Sequence, residues 1–148
     1  MNIEVGDSIG SNRYEIQEKI GEGGFGVTFS AKDRSSFDKR CVVKHFIPKS
    51  SENNQEAREL FREEAKILWE LEKYSQTPNL FAYLDKEDCL VQEYIEGLTL
   101  KEELEKQGTF SEEKILDLLD EMLDVLIFIH EQGIVHKDIK PSNTALFE

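Results

Sequence analysis

The sequence predicts an α+β fold in which a β-rich half with one helix precedes an α-rich half. Before residue 48, apolar residues alternate at period two in short segments, which is typical of strands. A helical apolar period follows over residues 55–74 and dominates after residue 100. Because Glu96-Gly97 separates the two patterns, we expect one unit at residues 1–96 and a second at residues 97–148.

The first half is predicted to contain five strands and one helix. Strands are expected over residues 14–20 and 27–31, on either side of GEGGFG, and over residues 40–47, where β-branched residues are frequent. The helix over residues 55–74 follows a polar SSENN stretch that can cap it. After Thr77-Pro78-Asn79 breaks the helical pattern, residues 80–84 and 89–94 are predicted to form a hairpin.

The second half is predicted to be helical. A short helix over residues 100–107 ends at Gly108, and Ser111 can cap a longer one that Gly133 stops. The longer helix is apolar nearly all round between Ile115 and Ile129, which is typical of a buried central helix. If the 148 residues are the whole chain, we therefore expect a second copy or a different protein to cover the helix 112–132, giving a homodimer or a complex.

The composition of the chain indicates which classes of binding partner are disfavoured and which cellular compartment is expected. The chain has 31 acidic residues and 18 basic ones, and the net charge of −13 disfavours nucleic acid and anionic membranes as partners. The amino terminus lacks a basic flank before an apolar run, and no segment reaches the roughly 18 apolar residues of a spanning helix. A cytoplasmic protein is expected, in which Cys41 and Cys89 are reduced, buried thiols.

The segment GEGGFG has the spacing G-x-G-x-x-G at Gly21, Gly23 and Gly26. Glycines let the backbone approach a phosphate closely and turn its N–H groups towards the oxygens. A plain hairpin turn also needs glycine and stays an alternative. A dinucleotide fingerprint would need a helix next, whereas VTFSA continues as a strand, so a glycine-rich hairpin over phosphates is favoured.

A charged residue interrupts the apolar face of the helix predicted over residues 55–74. Glu64 lies three or four residues from apolar residues on both sides, so it points along that face. An unpaired buried carboxylate is costly, so a cation from an equally apolar place should meet it. Lys44 is the candidate, because it shares a strand face with Val42 and Phe46. The alternative is that Glu64 lies at the rim and Lys44 extends to water.

The segment HKDIKPSN, which begins at His136, concentrates groups suited to phosphoryl transfer. Asp138 can accept a proton, Lys140 can steady a transferring phosphoryl group, and Asn143 can ligate magnesium. The alternative is a polar loop after a helix, where such residues are common. Their coincidence with a glycine-rich hairpin and a strand lysine favours the chemical interpretation.

Together these motifs resemble the amino-terminal half of a eukaryotic-type serine/threonine protein kinase, and GEGGFGVTF with KHFIP is similar to the bacterial branch. The resemblance runs from about Tyr14 to residue 148. It implies an amino lobe, made of an antiparallel sheet and helix C, followed by a truncated helical carboxyl lobe. It also implies ATP and Mg²⁺ as cofactors and protein serine or threonine as the acceptor.

The resemblance implies a set of ATP contacts. The glycine-rich loop would cover the nucleotide through Gly21, Gly23, Gly24, Phe25, Gly26 and Val27. Lys44 would bind the α- and β-phosphates, and Glu64 would hold Lys44 from helix C. Gln92 falls at the gatekeeper position, and the backbone of Glu93 and Ile95 would hydrogen-bond adenine. The adenine ring would lie between the side chains of Ile20, Val27, Val42 and Ala145.

The same resemblance implies catalytic roles within HKDIKPSN. Asp138 would accept the proton of the substrate hydroxyl, Lys140 would contact the γ-phosphate, and Asn143 would ligate a magnesium ion. A lysine two residues after the aspartate, followed by proline, is the serine/threonine form rather than the tyrosine form.

Several departures from the family pattern limit what the resemblance implies. Lys137 stands in place of an arginine and lacks its bidentate fork, which argues against regulation by loop phosphorylation. Val42 replaces an alanine and Ala145 a larger residue, so we expect an adenine pocket that is tighter above and looser below. The 148 residues contain no Asp-Phe-Gly motif, whose aspartate is the family's main magnesium ligand. We therefore expect weak magnesium binding and no catalysis by this chain alone.

Three hypotheses for the function stay open. The chain is part of a longer or split serine/threonine kinase, or a nucleotide-binding module without phosphoryl transfer, or an interaction protein that docks through its helical face. The presence of Lys44, Glu64 and Asp138 favours the first two over the third.

Overall fold

The computed structural model describes residues 2–23, 26–47, 54–72, 74–136 and 139–146. The chain divides into two compact units, Met1–Tyr94 and Ile95–Glu148. The strands of the first unit are β1 (Ser8–Ile9), β2 (Tyr14–Gly23), β3 (Gly26–Asp33), β4 (Lys39–Phe46), β5 (Leu80–Leu84) and β6 (Cys89–Glu93). They form one antiparallel sheet in the order β1-β2-β3-β4-β6-β5, with helix α1 (Asn54–Glu70) between β4 and β5 in sequence. This confirms the predicted fold class and the five predicted strands, to which the structure adds β1.

The two faces of the sheet bury different residues. One face carries the larger core, which consists of Ile3, Ile9, Tyr14, Ile16, Phe29, Ala31, Cys41, Val43, Cys89 and Val91. On the other face, Phe46 and Leu90 pack against Phe61 and Ala65 of α1. The ring centroids of Phe46 and Phe61 are 5.5 Å apart, within the range of favourable aromatic pairs. This apolar contact fixes α1 on the second face.

Helix α1 ends at Glu70, earlier than the predicted end at residue 74. The hydroxyl of Thr77 donates to the carbonyl oxygens of Leu71 and Tyr74, at 3.2 and 3.0 Å. Carbonyl oxygens at the end of a helix have no partner within the helix. A side chain that donates hydrogen bonds to them lets the backbone turn without leaving them unsatisfied. The residues expected to cap the helix at 50–53 lie outside the described residues.

The second unit contains helices α2 (Leu100–Gln107) and α3 (Glu112–Glu131) and a two-stranded antiparallel sheet of β7 (Leu98–Thr99) and β8 (Ala145–Leu146). Five apolar side chains of α3 are 45–58% exposed, namely Ile115, Leu116, Leu119, Leu123 and Ile127. We call this set the α3 stripe. No helix within the described residues has the length and apolar content needed to cross a bilayer.

Side-chain caps explain where both helices of the second unit begin. At α2, the Thr99 hydroxyl oxygen accepts from the backbone N–H of Glu102 at 3.2 Å, and the Glu102 carboxylate accepts from the backbone N–H of Thr99 at 2.7 Å. This is a capping box. At α3, the Ser111 hydroxyl oxygen accepts from the backbone N–H of Lys114 at 3.2 Å. Both predicted helices are confirmed.

An ion pair fastens the residue before β2 to the end of β3. Arg13 donates from Nε and Nη2 to the two carboxylate oxygens of Asp33, each at 2.8 Å. The Asp33 side chain is 4% exposed and also accepts from the Ser35 backbone N–H and the Ser36 hydroxyl. The hydrogen bonds from Arg13, above all, hold the pKa of Asp33 below its ordinary value.

We predict that Arg13→Ala lowers the free energy of unfolding by about 2–3 kcal/mol, because it leaves a buried carboxylate without its cation. Arg34→Ala is the matched control, since its pair with Glu15 is solvent-exposed and should contribute less than about 1 kcal/mol. Urea unfolding at neutral pH measures both variants. Equal losses in the two would contradict the prediction.

The same variants test the pH dependence. Because the pKa of Asp33 is lower in the folded than in the unfolded chain, its stabilising contribution is full above the unfolded pKa. That contribution is lost as the pH falls through the folded pKa. The stability difference between wild type and Arg13→Ala should therefore shrink in acid, and a constant difference would contradict this assignment.

Candidate functional site

The strand lysine and the helix glutamate lie against each other. Lys44 Nζ of β4 is 2.5 Å from Glu64 Oε1 of α1. Their side chains are 33% and 39% exposed, so the pair is partly solvated. The Glu64 carboxylate was expected to be buried, and it is only partly buried. The reason is the geometry of α1, in which Phe61 and Ala65 take the buried positions and Glu64 lies at the edge of that face.

Thr28, Val42 and Gln92 are among the residues that share the sheet face of Lys44. Thr28 of β3 lies directly opposite Lys44. Val42 is two residues away on β4 and lies opposite Gln92 of β6. Residues directly opposite each other in antiparallel strands point to the same face, so these side chains surround the lysine. Gln92 Oε1 is buried and has no hydrogen-bond partner among the described residues.

Val27, expected to contact the nucleotide, points to the opposite face of the sheet. It lies opposite His45 in β4 and packs against the larger core. Thr28 takes the position beside Lys44 instead, because side chains alternate along a strand. The sequence carried this signal, since residues 27–31 (VTFSA) alternate apolar and hydroxyl side chains and thereby place Val27 on the core face.

The glycine-rich segment is a β-hairpin, as its sequence favoured. Strands β2 and β3 pair as far as Gly23 opposite Gly26, while Gly24 and Phe25 lie outside the described residues. Among the described residues, a Cβ atom added to Gly23 would have no atom within 4 Å, and one on Gly21 would meet only an ordinary contact at 3.8 Å. The backbone at both glycines is therefore open to a ligand.

The remaining residues predicted to bind the nucleotide divide between the two units. Ile20 lies at an irregularity of the β2–β3 ladder and is exposed, and Glu93 is the last residue of β6. Ile95 and Ala145 belong to the second unit, where Ala145 begins β8.

HKDIKPSN belongs to the second unit and is described in part. Asp138, the predicted base, and Lys137 lie outside the described residues. Lys140 precedes a short 3-10 helix, Pro141–Asn143, and its carbonyl oxygen accepts from the backbone N–H of Asn143 at 2.9 Å. One tight turn therefore fixes the backbone of Lys140 relative to that of Asn143.

The described residues fit the phosphates of a nucleotide better than they fit a metal ion. Lys44 supplies an ammonium group held by a carboxylate, and the glycine hairpin supplies open backbone. The part of the chain that the structure describes contains no group of three or more His, Cys, Asp or Glu that could hold a metal. Magnesium prefers carboxylate oxygens, and the amide of Asn143 alone does not make such a site.

Both cysteines are free and buried, as predicted. Burial raises the pKa of Cys41 to about 11 and that of Cys89 to about 12. The thiols are therefore protonated at neutral pH, and neither is an activated nucleophile.

Comparison with known families decides what this arrangement belongs to. The model of the protein kinase domain matches residues 14–147, which is nearly the whole chain. The chain belongs to the protein kinase family. Its first unit is the amino lobe of that fold, with α1 as helix C, and helices of the carboxyl lobe follow.

Curated relatives support the bacterial branch. The chain is 38% identical to serine/threonine-protein kinase B of Synechocystis sp. over 96% of its length, and 45% identical to serine/threonine-protein kinase C of the same organism over 93%. It is 42% identical to serine/threonine-protein kinase PknA of Nostoc sp. over 91%. It covers 26%, 27% and 25% of these proteins, respectively, and so spans about a quarter of their length.

The side-chain oxygen of Gln92, which has no hydrogen-bond partner among the described residues, leads to a prediction about the stability of this kinase lobe. A buried acceptor without a donor costs about 1–3 kcal/mol, and methionine has a similar length without that oxygen. Gln92→Met should therefore raise the free energy of unfolding, by about 1 kcal/mol. Gln17→Met on β2, whose amide already donates to Glu15 Oε1, is the control and should give no gain. Urea unfolding would refute the idea if Gln92→Met proved less stable than wild type.

Proposed function

We propose that the chain binds ATP through its amino lobe, as the nucleotide-binding part of a serine/threonine protein kinase. The Lys44–Glu64 ion pair carries the proposal, because it holds an ammonium group at a defined place on the sheet. Thr28 lies opposite Lys44 on β3 and opposite Gly21 of the hairpin on β2. An ammonium group on β4 and open glycine backbone on β2, with Thr28 of β3 between them, are suited to phosphate oxygens.

The other contacts with ATP are proposed from the family pattern. In the first unit, the backbone of Glu93 hydrogen-bonds adenine, with Ile20 and Val42 against its ring. Thr28 replaces Val27 in this set, because Val27 faces the larger core. Because ATP is supplied in the cytoplasm, the proposal also implies a cytoplasmic kinase domain.

Phosphoryl transfer to protein serine or threonine is proposed for a kinase that contains this chain together with the rest of the catalytic domain. Asp138 accepts the proton of the substrate hydroxyl, Lys140 contacts the γ-phosphate, and Asn143 ligates magnesium. Magnesium, when bound, neutralises charge on the phosphates. A carboxylate besides Asn143 is needed to hold it. The alternative is a module that binds ATP without transferring the phosphoryl group, in which Lys44 and Glu64 act alone.

We predict that ATP raises the melting temperature of the wild-type chain, because a ligand that binds only the folded state stabilises it by mass action. Lys44→Met should weaken ATP binding about tenfold or more, since it removes a charge-assisted hydrogen bond to phosphate. Lys32→Met removes the same charge from an exposed position on β3 and should leave ATP binding unchanged. Thermal shift and calorimetric titration, with and without magnesium, measure these effects.

Either outcome of that experiment is informative. If ATP gives no thermal shift under either condition, nucleotide binding by this chain is refuted. A kinase assay on the same samples then separates the two functions. Magnesium-dependent transfer by the 148 residues would exclude the non-catalytic module, and Asp138→Asn should abolish the transfer.

We also propose that protein covers the α3 stripe, as further residues of a longer chain, a second copy or another protein. Its five side chains are each about half exposed and lie on one helix, which makes a continuous apolar patch. Acidic residues accompany it on α3, namely Glu112, Glu113, Asp117, Asp120, Glu121, Asp124 and Glu131. The stripe therefore offers apolar contact with an acidic margin.

Light scattering at micromolar concentration tests the second proposal. We predict a mass above that of the 17.1 kDa monomer for the wild type, or a stable complex with a partner. The double variant Leu119→Ser/Leu123→Ser should reduce association, because it removes the centre of the stripe. Asp117→Ser/Asp124→Ser on the same helix is the control and should still associate. A strictly monomeric wild type would count against the proposal.

A further inference from the structure

The last two residues of the amino lobe, Glu93 and Tyr94, are contacted by residues on either side of β6 in the sheet. Strand β6 lies between β4 and β5 in the sheet, and its last residue, Glu93, is followed by Tyr94, where the first unit ends. On the β5 side, Asn79 contacts Glu93. On the β4 side, Arg40 contacts Tyr94.

The contact between Asn79 and Glu93 consists of three hydrogen bonds. The backbone N–H of Glu93 donates to the Asn79 carbonyl oxygen at 2.8 Å, which extends the β5–β6 ladder by one step. In return, the backbone N–H of Asn79 and its side-chain Nδ2 both donate to Glu93 Oε2, at 3.2 and 2.9 Å. Hydrogen bonds to a carboxylate are stronger than those between neutral groups. Both the backbone and the side chain of Glu93 are thereby fixed.

The guanidinium group of Arg40 lies over the ring of Tyr94 in a cation–π contact, called the stack below. The guanidinium carbon of Arg40 lies 3.8 Å from the centroid of the Tyr94 ring. This is the shortest of the five cation–π contacts found among the described residues. A planar guanidinium can lie flat on an aromatic ring, which an ammonium group cannot. Tyr94 therefore has a defined position although no strand includes it.

A backbone that reads a ligand through hydrogen bonds must be held before the ligand arrives, because a mobile segment would lose conformational entropy on binding. Glu93 and Tyr94 lie at the end of a strand, where regular ladder bonds stop. The two side-chain contacts act at this point, one on each residue. One contact comes from Asn79, the residue before β5, and the other from Arg40 of β4. Loss of one contact therefore leaves the other in place.

We propose that Asn79 and Arg40 are positioning residues for the base of the nucleotide. They hold the Glu93–Tyr94 backbone in the conformation against which adenine is recognised, and neither touches the phosphates. The inference rests on the proposed ATP-binding function and adds to it two residues that determine base recognition.

The test compares the dissociation constants for ATP and GTP in wild type and variants. Asn79→Asp places a second carboxylate against Glu93, and Arg40→Ala removes the stack. Each should weaken ATP binding about tenfold, the loss expected for one hydrogen bond between neutral groups, and GTP binding much less. The preference for ATP over GTP should therefore fall. Arg40→Lys keeps the charge without the planar fork and should retain part of the preference.

Arg62→Ala is the matched control. Arg62 pairs with Asp85 and lies 5.8 Å from the Tyr83 ring, so the variant loses the same charge and a similar contact on α1. It should keep the wild-type preference. Arg40 is exposed, so Arg40→Ala carries the test if Asn79→Asp fails to fold by circular dichroism.

Each outcome separates this inference from the function on which it rests. If the wild type binds no ATP, the proposed function fails. If it binds ATP and GTP equally, or if both variants keep the wild-type preference, the positioning role is refuted while ATP binding stands. Equal losses for ATP and GTP would refute it too, because they would show a structural defect rather than a change in base recognition.

Discussion

A one-residue slip of β4 in the sheet would carry Lys44 into the larger core and expose Val43, which is fully buried. Side chains alternate along a strand, so every residue of β4 would change face. The cost of burying an ammonium group among apolar side chains keeps the strand in register. With that register fixed, Thr28 and Val42 lie beside Lys44 and Phe46 lies under α1. The site therefore lies on the face of β4 that is turned away from the larger core.

The Lys44–Glu64 ion pair positions a charge more than it stabilises the lobe. At 33% and 39% exposure its two side chains are partly solvated, and ion pairs of this kind contribute at most about 1 kcal/mol. The apolar contact of Phe46 with Phe61 does more to hold α1 on the sheet, because it removes two aromatic rings from water. Because this apolar contact holds α1, the Lys44–Glu64 pair does not have to be buried for the helix to stay in place. The ammonium group of Lys44 therefore stays accessible to a ligand.

Local patterns predicted five of the six strands of the first unit, the helices of the second unit and the pairing of Lys44 with Glu64, because alternation, caps and an interrupted apolar face are all visible along the chain. The side-chain contacts that form at the ends of these elements were not predictable in this way. Asn79 meets Glu93 only because β5 and β6 are neighbours, and α1 ends where Thr77, six residues after Leu71, reaches back to a carbonyl oxygen. The error at Val27 arose from placing the family pattern one residue early, against the alternation of the strand.

The glycine pattern has two physical causes that its spacing does not distinguish. Gly26 has φ = +146°, and a Cβ there would lie 1.9 Å from the His45 carbonyl oxygen, so a side chain would break the pairing of β3 with β4. The fold needs this glycine whether or not a nucleotide binds. Among the described residues no atom lies within 4 Å of a Cβ placed at Gly23, so their packing does not explain the glycine and a ligand can. The G-x-G-x-x-G motif is thus partly structural. The stronger evidence for phosphate binding is Lys44, a cation that the packing of the sheet does not require.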